Sequence, residues 1–201
     1  MPKVLASFLA THPQVSVSLR EQGNAEIARA VRECRADIGV VAGELDLSGL
    51  HSTQFATDQL MLVVSRTHRL ARRTKIAFAE VIDEPMAGLY DNSTIQMFLA
   101  ARVQDMGRPA ARPRVEVNSF EAVCLMAEAG VGVGVVPGSV GRRNAATLKI
   151  RLIPLSDAWA LRKRYVVTRE LASRPQYVGD LVEAIRAPSA LGIPRKHRLK
   201  T

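Results

Sequence analysis

Aromatic side chains make up only 4 % of these 201 residues, and cysteine occurs twice. Two thiols cannot staple a small secreted scaffold. Cys34 and Cys124 both fall on apolar helical stripes, so buried free thiols are expected rather than a disulfide. No apolar run reaches the roughly 18 residues that a membrane span needs. The opening MPKVLASFLATHP is amphipathic, with too short an apolar core for a secretory signal, and a cytoplasmic location is the expectation. The four histidines, His12, His51, His68 and His197, never approach ligand spacing with each other or with cysteine. No metal and no cofactor are expected.

Acid is also short: 19 carboxylates face 28 lysines and arginines, a net charge of +9. The excess is local. Arg66, Arg69, Arg72, Arg73 and Lys75 form one cluster, and Arg162, Lys163 and Arg164 another. Beyond Glu183 no acid follows, while Arg186, Arg195, Lys196, Arg198 and Lys200 do. Such charge attracts nucleic acid or acidic ligands. The clusters lack interleaved aromatics and a surrounding nucleic-acid motif, so they read as solvated loops, with a disordered basic tail over 188–201.

What the chain does have is alternation between strand and helix patterns. In VEVNSFEAVCLMAEAGVGVGVVP (115–137), Val115 and Val117 alternate with polar neighbours and Ser119 can cap a helix. Phe120, Val123, Cys124 and Ala127 then recur at helical spacing. Gly130 stands where a left-handed C-cap is wanted, and Val131–Val136 reads as a buried strand. So compact a crossover implies a parallel sheet. A similar unit runs from 15 to 41: alternating Val15, Val17 and Leu19 as a strand, a turn at Gln22-Gly23-Asn24, a helix carrying Ile27, Val31 and Cys34 with Asn24 as its cap, then a strand at 38–41. A helix at 2–11 stands in front of this unit, and between the two units lie a strand at 59–65, a short helix at 78–82, an extended run at 86–90 and a helix capped by Asn92 or Ser93. That helix carries Ile95, Phe98, Leu99, Val103 and Met106 on one face. Strands at 148–155 and 160–168 and a helix after Pro175 complete the pattern. Two α/β lobes are expected.

Catalytic signatures fail. There is no G-x-S-x-G elbow. Gly130, Gly132 and Gly134 imitate part of a dinucleotide fingerprint, but Pro137 stands where the third glycine should open a helix. Those glycines read as room for close strand–helix packing. What remains is polar groups at strand ends and helix starts: Gln22-Gly23-Asn24, Gly43-Glu44, Asn92-Ser93-Thr94 and Asn118-Ser119. Strand carboxyl ends face the ligand crevice of open α/β sheets, and free helix amides favour anions. Together these groups describe a binding cleft rather than an active site.

Five segments, in order, carry a resemblance from residue 1 to about 187. They are the PxxLxxFxxxxP helix (Pro2, Leu5, Phe8, Pro13), AVRECRADIGVV (30–41), LMLVVSRTHRLA (60–71), FAEVIDEP (78–85) and NSFEAVCLMAEAGVGVGVVP (118–137). The chain thereby resembles the effector-binding domain of LysR-type transcriptional regulators, which is similar to type II periplasmic solute-binding proteins. The resemblance implies two Rossmann-like α/β lobes with mixed sheets, joined by two crossover segments. Lobe I would be 1–85 plus 163–187 and lobe II 86–162, with hinges near Pro85–Leu89 and Leu161–Val166. The family's first strand, which precedes the PxxL helix and is central in lobe I, is missing, as is its winged helix-turn-helix. Arg69 stands where the family usually has proline.

The same resemblance implies a small effector, anionic by the charge balance, held at Gln22, Gly23, Asn24, Gly43, Glu44, Asn92, Ser93, Thr94, Ser119, Phe120 and Pro137. It also implies a homodimer or tetramer that meets DNA only through the winged helix-turn-helix, and no catalysis. The other readings are a transport-type solute-binding protein and direct nucleic-acid binding through the basic loop and tail.

Overall fold

The computed structural model describes residues 1–43, 45–90, 93–109, 112–170 and 175–187. Glu44, Asn92 and the basic run 188–201 lie outside the described residues. The chain divides into two compact units, 1–56 with 163–201 and 57–162.

In the first unit, helix α1 (Pro2–Thr11) begins with proline in its first turn, where the missing N–H costs nothing. It buries Val4 and Phe8. Val4 meets Val182 and Ile185 of α6 (Gln176–Arg186) and Val166 of β7 (Leu161–Thr168) in one small cluster. Tyr177, in the first turn of α6, is 43 % exposed. Helix α2 (Asn24–Arg32) packs Val31 against Val41 of β1 (Ile38–Ala42) and Val167 of β7. β1 and β7 pair antiparallel from Ile38↔Thr168 to Ala42↔Arg164. On its other side β7 neighbours β2 (His51–Ser65).

Two expectations fail in this unit, each for a physical reason. Residues 15–19 form no strand: Val17 is 37 % and Leu19 66 % exposed. Alternation buries side chains only when the backbone has a hydrogen-bonded neighbour that places one face on a core. No strand among the described residues pairs with this run. Cys34, expected on the buried stripe of α2, is exposed. The helix has already ended at Arg32, and Cys34 takes the left-handed position of its C-terminal turn, φ 61°. There Cys34 N–H donates to Val31 O and Arg35 N–H to Ala30 O at 2.9 Å, which turns the thiol away from the core.

The second unit is organised around the carboxyl half of β2. Leu60–Val63 pairs antiparallel with β5 (Gly134–Pro137) on one edge, and Met61–Ser65 with β6 (Ile150–Pro154) on the other. Leu62, Val63 and Val64 are consequently fully buried. Residues 57–85, read from the sequence as part of lobe I, belong to this unit. Leu60, Leu62, Val64, Leu70, Ile76, Phe78 and Val81 share one core cluster with Val135 and Ile153. Ile76 also bridges to Leu155. The first boundary between the units therefore falls inside β2, after Ala56, rather than near Pro85–Leu89.

β3 (Ala87–Leu89) and β4 (Val115–Val117) are parallel, with Leu89 opposite Val117. Met86 bridges in parallel to Val133, so the run into β5 lies on the other side of β3. The crossover through α4 (Phe120–Glu128) thus steps over β3, and the expected parallel sheet is present. Helix α4 ends as its glycine demands. Gly130 has φ 74°, with Val131 N–H donating to Met126 O and Gly130 N–H to Ala127 O.

The two cysteines make a measurable contrast. Cys124 on α4 is buried, and burial pushes its thiol pKa up to about 11. An aromatic disulfide reagent is expected to titrate one thiol quickly in the native protein, Cys34, and two in denaturant. The raised thiol also carries a sign. Above the ordinary thiol pKa the unfolded chain loses a proton that the folded chain keeps, so stability falls as pH rises from about 9 to 11 and is flat with respect to this group below. Denaturant midpoints across that window, compared with those of Cys124→Ala, check it.

Candidate functional site

In the second unit three strand ends coincide. β3, β4 and β5 run parallel, and each is followed at its carboxyl end by a helix: α3 (Thr94–Asp105), α4 and α5 (Gly138–Asn144). The predicted groups Ser93-Thr94, Ser119-Phe120 and Pro137 therefore gather on one edge of one sheet. Ser93 Oγ accepts from Gln96 N–H at 3.2 Å and Ser119 Oγ from Ala122 N–H at 3.2 Å, so both serines are N-caps as the sequence suggests. Phe120 is half-buried and packs against both core clusters of the unit.

Pro137 is the N-cap residue of α5, but the start of that helix is already occupied. Asp58 of β2 accepts the Ser139 backbone N–H at 3.1 Å and the Ser139 hydroxyl at 2.5 Å, and lies 3.7 Å from Arg142. Sequence reasoning missed this acid, because 81 residues separate it from Ser139. An internal carboxylate thus satisfies α5.

In the first unit, Gly23 rather than Asn24 caps α2. Asn24 is instead a brace: its Nδ2 donates to Ala42 O at 2.6 Å and its Oδ1 accepts from Ala42 N–H at 3.4 Å. This brings Gly23 and Asn24 to the carboxyl end of β1, beside Gly43. Gly43 has φ 89° and donates its N–H to Lys163 O at 2.8 Å. Gln22 is exposed.

The basic loop is partly neutralised locally. Arg69 pairs with Glu84, and Arg73 with Glu80 at 2.6 Å. The backbone N–H of Ala77 and the Arg73 guanidinium hold the Glu80 carboxyl below its usual pKa. Sequence reasoning also missed a cationic–aromatic stack. The Phe98 ring lies under two guanidiniums, Arg102 at 5.2 Å and Arg162 at 5.1 Å, and edge-on to Trp159. The helical stripe had placed Phe98 in the core; Arg102 stands one helical turn on in α3, whereas nothing in the spacing signals the distant Arg162.

Among the described residues no group of three or more His, Cys, Asp or Glu converges as metal ligands, and no helix is long and apolar enough to cross a membrane. His12 instead meets Asp180 at 3.2 Å and stacks on Phe8, and His68 faces Glu84 at 3.7 Å.

Fold and strand-end geometry define an α/β ligand-binding domain of the type II periplasmic-binding-protein-like class. The family described as LysR substrate binding domain matches residues 1–189, and the chain belongs to it. It is similar to an uncharacterized HTH-type transcriptional regulator, YwbI, of Bacillus subtilis: 28 % identical over 158 residues, 78 % of this chain and 51 % of that protein. It is also similar to the HTH-type transcriptional regulator BenM of Acinetobacter baylyi, 24 % identical over 92 % of this chain and 61 % of BenM. The chain spans about half the length of such curated relatives.

Among solved structures, the BenM effector binding domain with its effector benzoate superposes with a TM-score of 0.73 at 22 % identity, covering 92 % of this chain and 84 % of that one. The Synechocystis PCC6803 CcmR regulatory domain in complex with 2-PG gives 0.77 at 19 % identity, covering 92 % and 88 %. The transport-type reading is not favoured by these relatives, which are transcriptional regulators.

Proposed function

We propose that this chain is the sensing part of a transcriptional regulator that is not an enzyme, and that its effector is a small anion. The observation that carries the reading is the edge where α3 and α4 begin. Two helix N-termini face the same strand ends, each capped by its own serine, and their first-turn amides favour a negative group. The ligands named for the two structural relatives, benzoate and 2-phosphoglycolate, are both acids. Asn92, Ser93, Thr94, Ser119, Phe120 and Pro137 are the proposed effector residues of the second unit. Gln22, Gly23, Asn24, Gly43 and Glu44 are those of the first. Occupancy would be passed to a DNA-binding winged helix-turn-helix in a cytoplasmic homodimer or tetramer of the whole regulator.

A thermal-shift panel of aromatic carboxylates, phosphocarboxylates, amines and neutral analogues tests the reading. An acid present at 100 times its dissociation constant adds about 2.7 kcal/mol. For a domain of this size that raises Tm by about 5–11 °C. If only cationic or neutral compounds stabilise the protein, the anion assignment is wrong.

A further inference from the structure

The second unit also holds a cavity of about 280 Å³ at the amino ends of β3 and β4. Arg114, which lines it, precedes β4, whereas Ser119 follows that strand; the cavity reaches the start of α3 through Ile95 and Gln96 but includes neither Ser93 nor Ser119. One wall is the inner face of α3, formed by Ile95, Leu99 and Val103; the facing wall is Met86–Leu89 with Val135. Space over β3 depends on Gly88. A Cβ there would come within 2.7 Å of Pro113 Cγ and 2.8 Å of Gln96 Oε1. The lining is mainly aliphatic, with an amide and three guanidiniums, Arg108, Arg112 and Arg114, as its polar groups beside two acids, Asp83 and Glu84.

Both acids are already matched. Arg108 clasps Asp83 through two hydrogen bonds, one of 3.0 Å, and Arg69 pairs with Glu84 from outside the cavity. Arg114 is exposed and has no carboxylate partner among the described residues. A buried cavity of 150 Å³ lined by aliphatic side chains is enough to take up benzene. Here the volume admits a ring with a short acidic arm, and the Arg114 guanidinium selects the arm.

We propose that this cavity is a second ligand site, taking a small monocarboxylate with an apolar body, the carboxylate paired with Arg114 and the body against Leu99 and Val103. The site goes beyond the effector edge described above and does not require it.

Phenylacetate titrated into the 201-residue protein, followed by methyl and amide NMR, tests it. Saturable shifts are expected at the methyls of Leu89, Ile95, Leu99 and Val103. Arg114→Gln is expected to weaken binding by about tenfold, the loss of one charge-assisted hydrogen bond. Ala100→Leu, which fills the cavity from α3, is expected to remove the methyl shifts while the remaining spectrum stays folded. Neutral phenylacetamide is expected to bind at least about tenfold more weakly. The inference is overturned if phenylacetate leaves those methyls unmoved, if Arg114→Gln binds like the parent protein, or if phenylacetamide binds equally well. Shifts confined to the amides of Thr94, Ser119 and Phe120 would also overturn it, while supporting the effector edge. Saturable shifts at the cavity methyls, with the amides of Thr94, Ser119 and Phe120 unmoved, would support the cavity and leave the effector edge without support.

Discussion

Gly134→Ala is expected to destabilise the protein by about 3 kcal/mol, at the upper end of the range for overpacking a core, with a Tm drop of about 6–12 °C. The added Cβ would stand 2.3 Å from Val123 Cγ1, 3.1 Å from Ala87 O and 3.3 Å from Val63 Cγ1. Val123 and Val63 are 1 % and 0 % exposed, so neither can swing aside, and Ala87 O is backbone. Gly179→Ala in α6 makes the control. Nothing lies within 4 Å of its Cβ, and the change should stabilise by about 1 kcal/mol through helix propensity. Denaturant melts of both variants check the opposite signs. The same geometry disposes of the dinucleotide resemblance in VGVGVVP, because Gly134 faces a valine of α4 rather than a space where a phosphate could sit.

Leu62→Ala is expected to cost about 2–5 kcal/mol, the range for emptying a packed leucine site. Leu62 is 0 % exposed and lies opposite Val135 on one edge of β2 and Ile153 on the other. With both edges of the strand held, the backbone cannot close the hole by shifting, which places the loss toward the upper end. Guanidinium unfolding with an unchanged m-value is the measurement. A loss under about 1 kcal/mol would mean that the site collapses easily. Both variants act away from the effector edge. A ligand-induced Tm shift should therefore survive in whatever fraction remains folded, separating stability from sensing.

Much of the site was legible because its signals are local. Ser93 and Ser119 each stand three residues before the N–H that they accept from, and a capping serine ahead of an apolar stripe is a pattern of one helical turn. Gly130 is local in the same way. Asn24 was misassigned by one position for a non-local reason. Its amide is taken by Ala42, 18 residues away, and Gly23 is left to cap α2. Asp58 at the start of α5 and Arg162 on the Phe98 ring were invisible for the same cause, since each contact joins segments far apart in sequence.

The sequence by itself determined the helices, the strand–turn–helix alternation, the glycine-lined crossover and the family, because each rests on a periodicity or a motif within a few residues. Only the tertiary structure decided which runs are strands and which unit they join. Val15–Leu19 alternates as well as Val115–Val117 does, yet only the second has a neighbour to pair with. Residues 57–85 read like a continuation of the first lobe until β5 and β6 close on both edges of β2. A strand is completed by hydrogen bonds to another segment, whereas a helix completes its own.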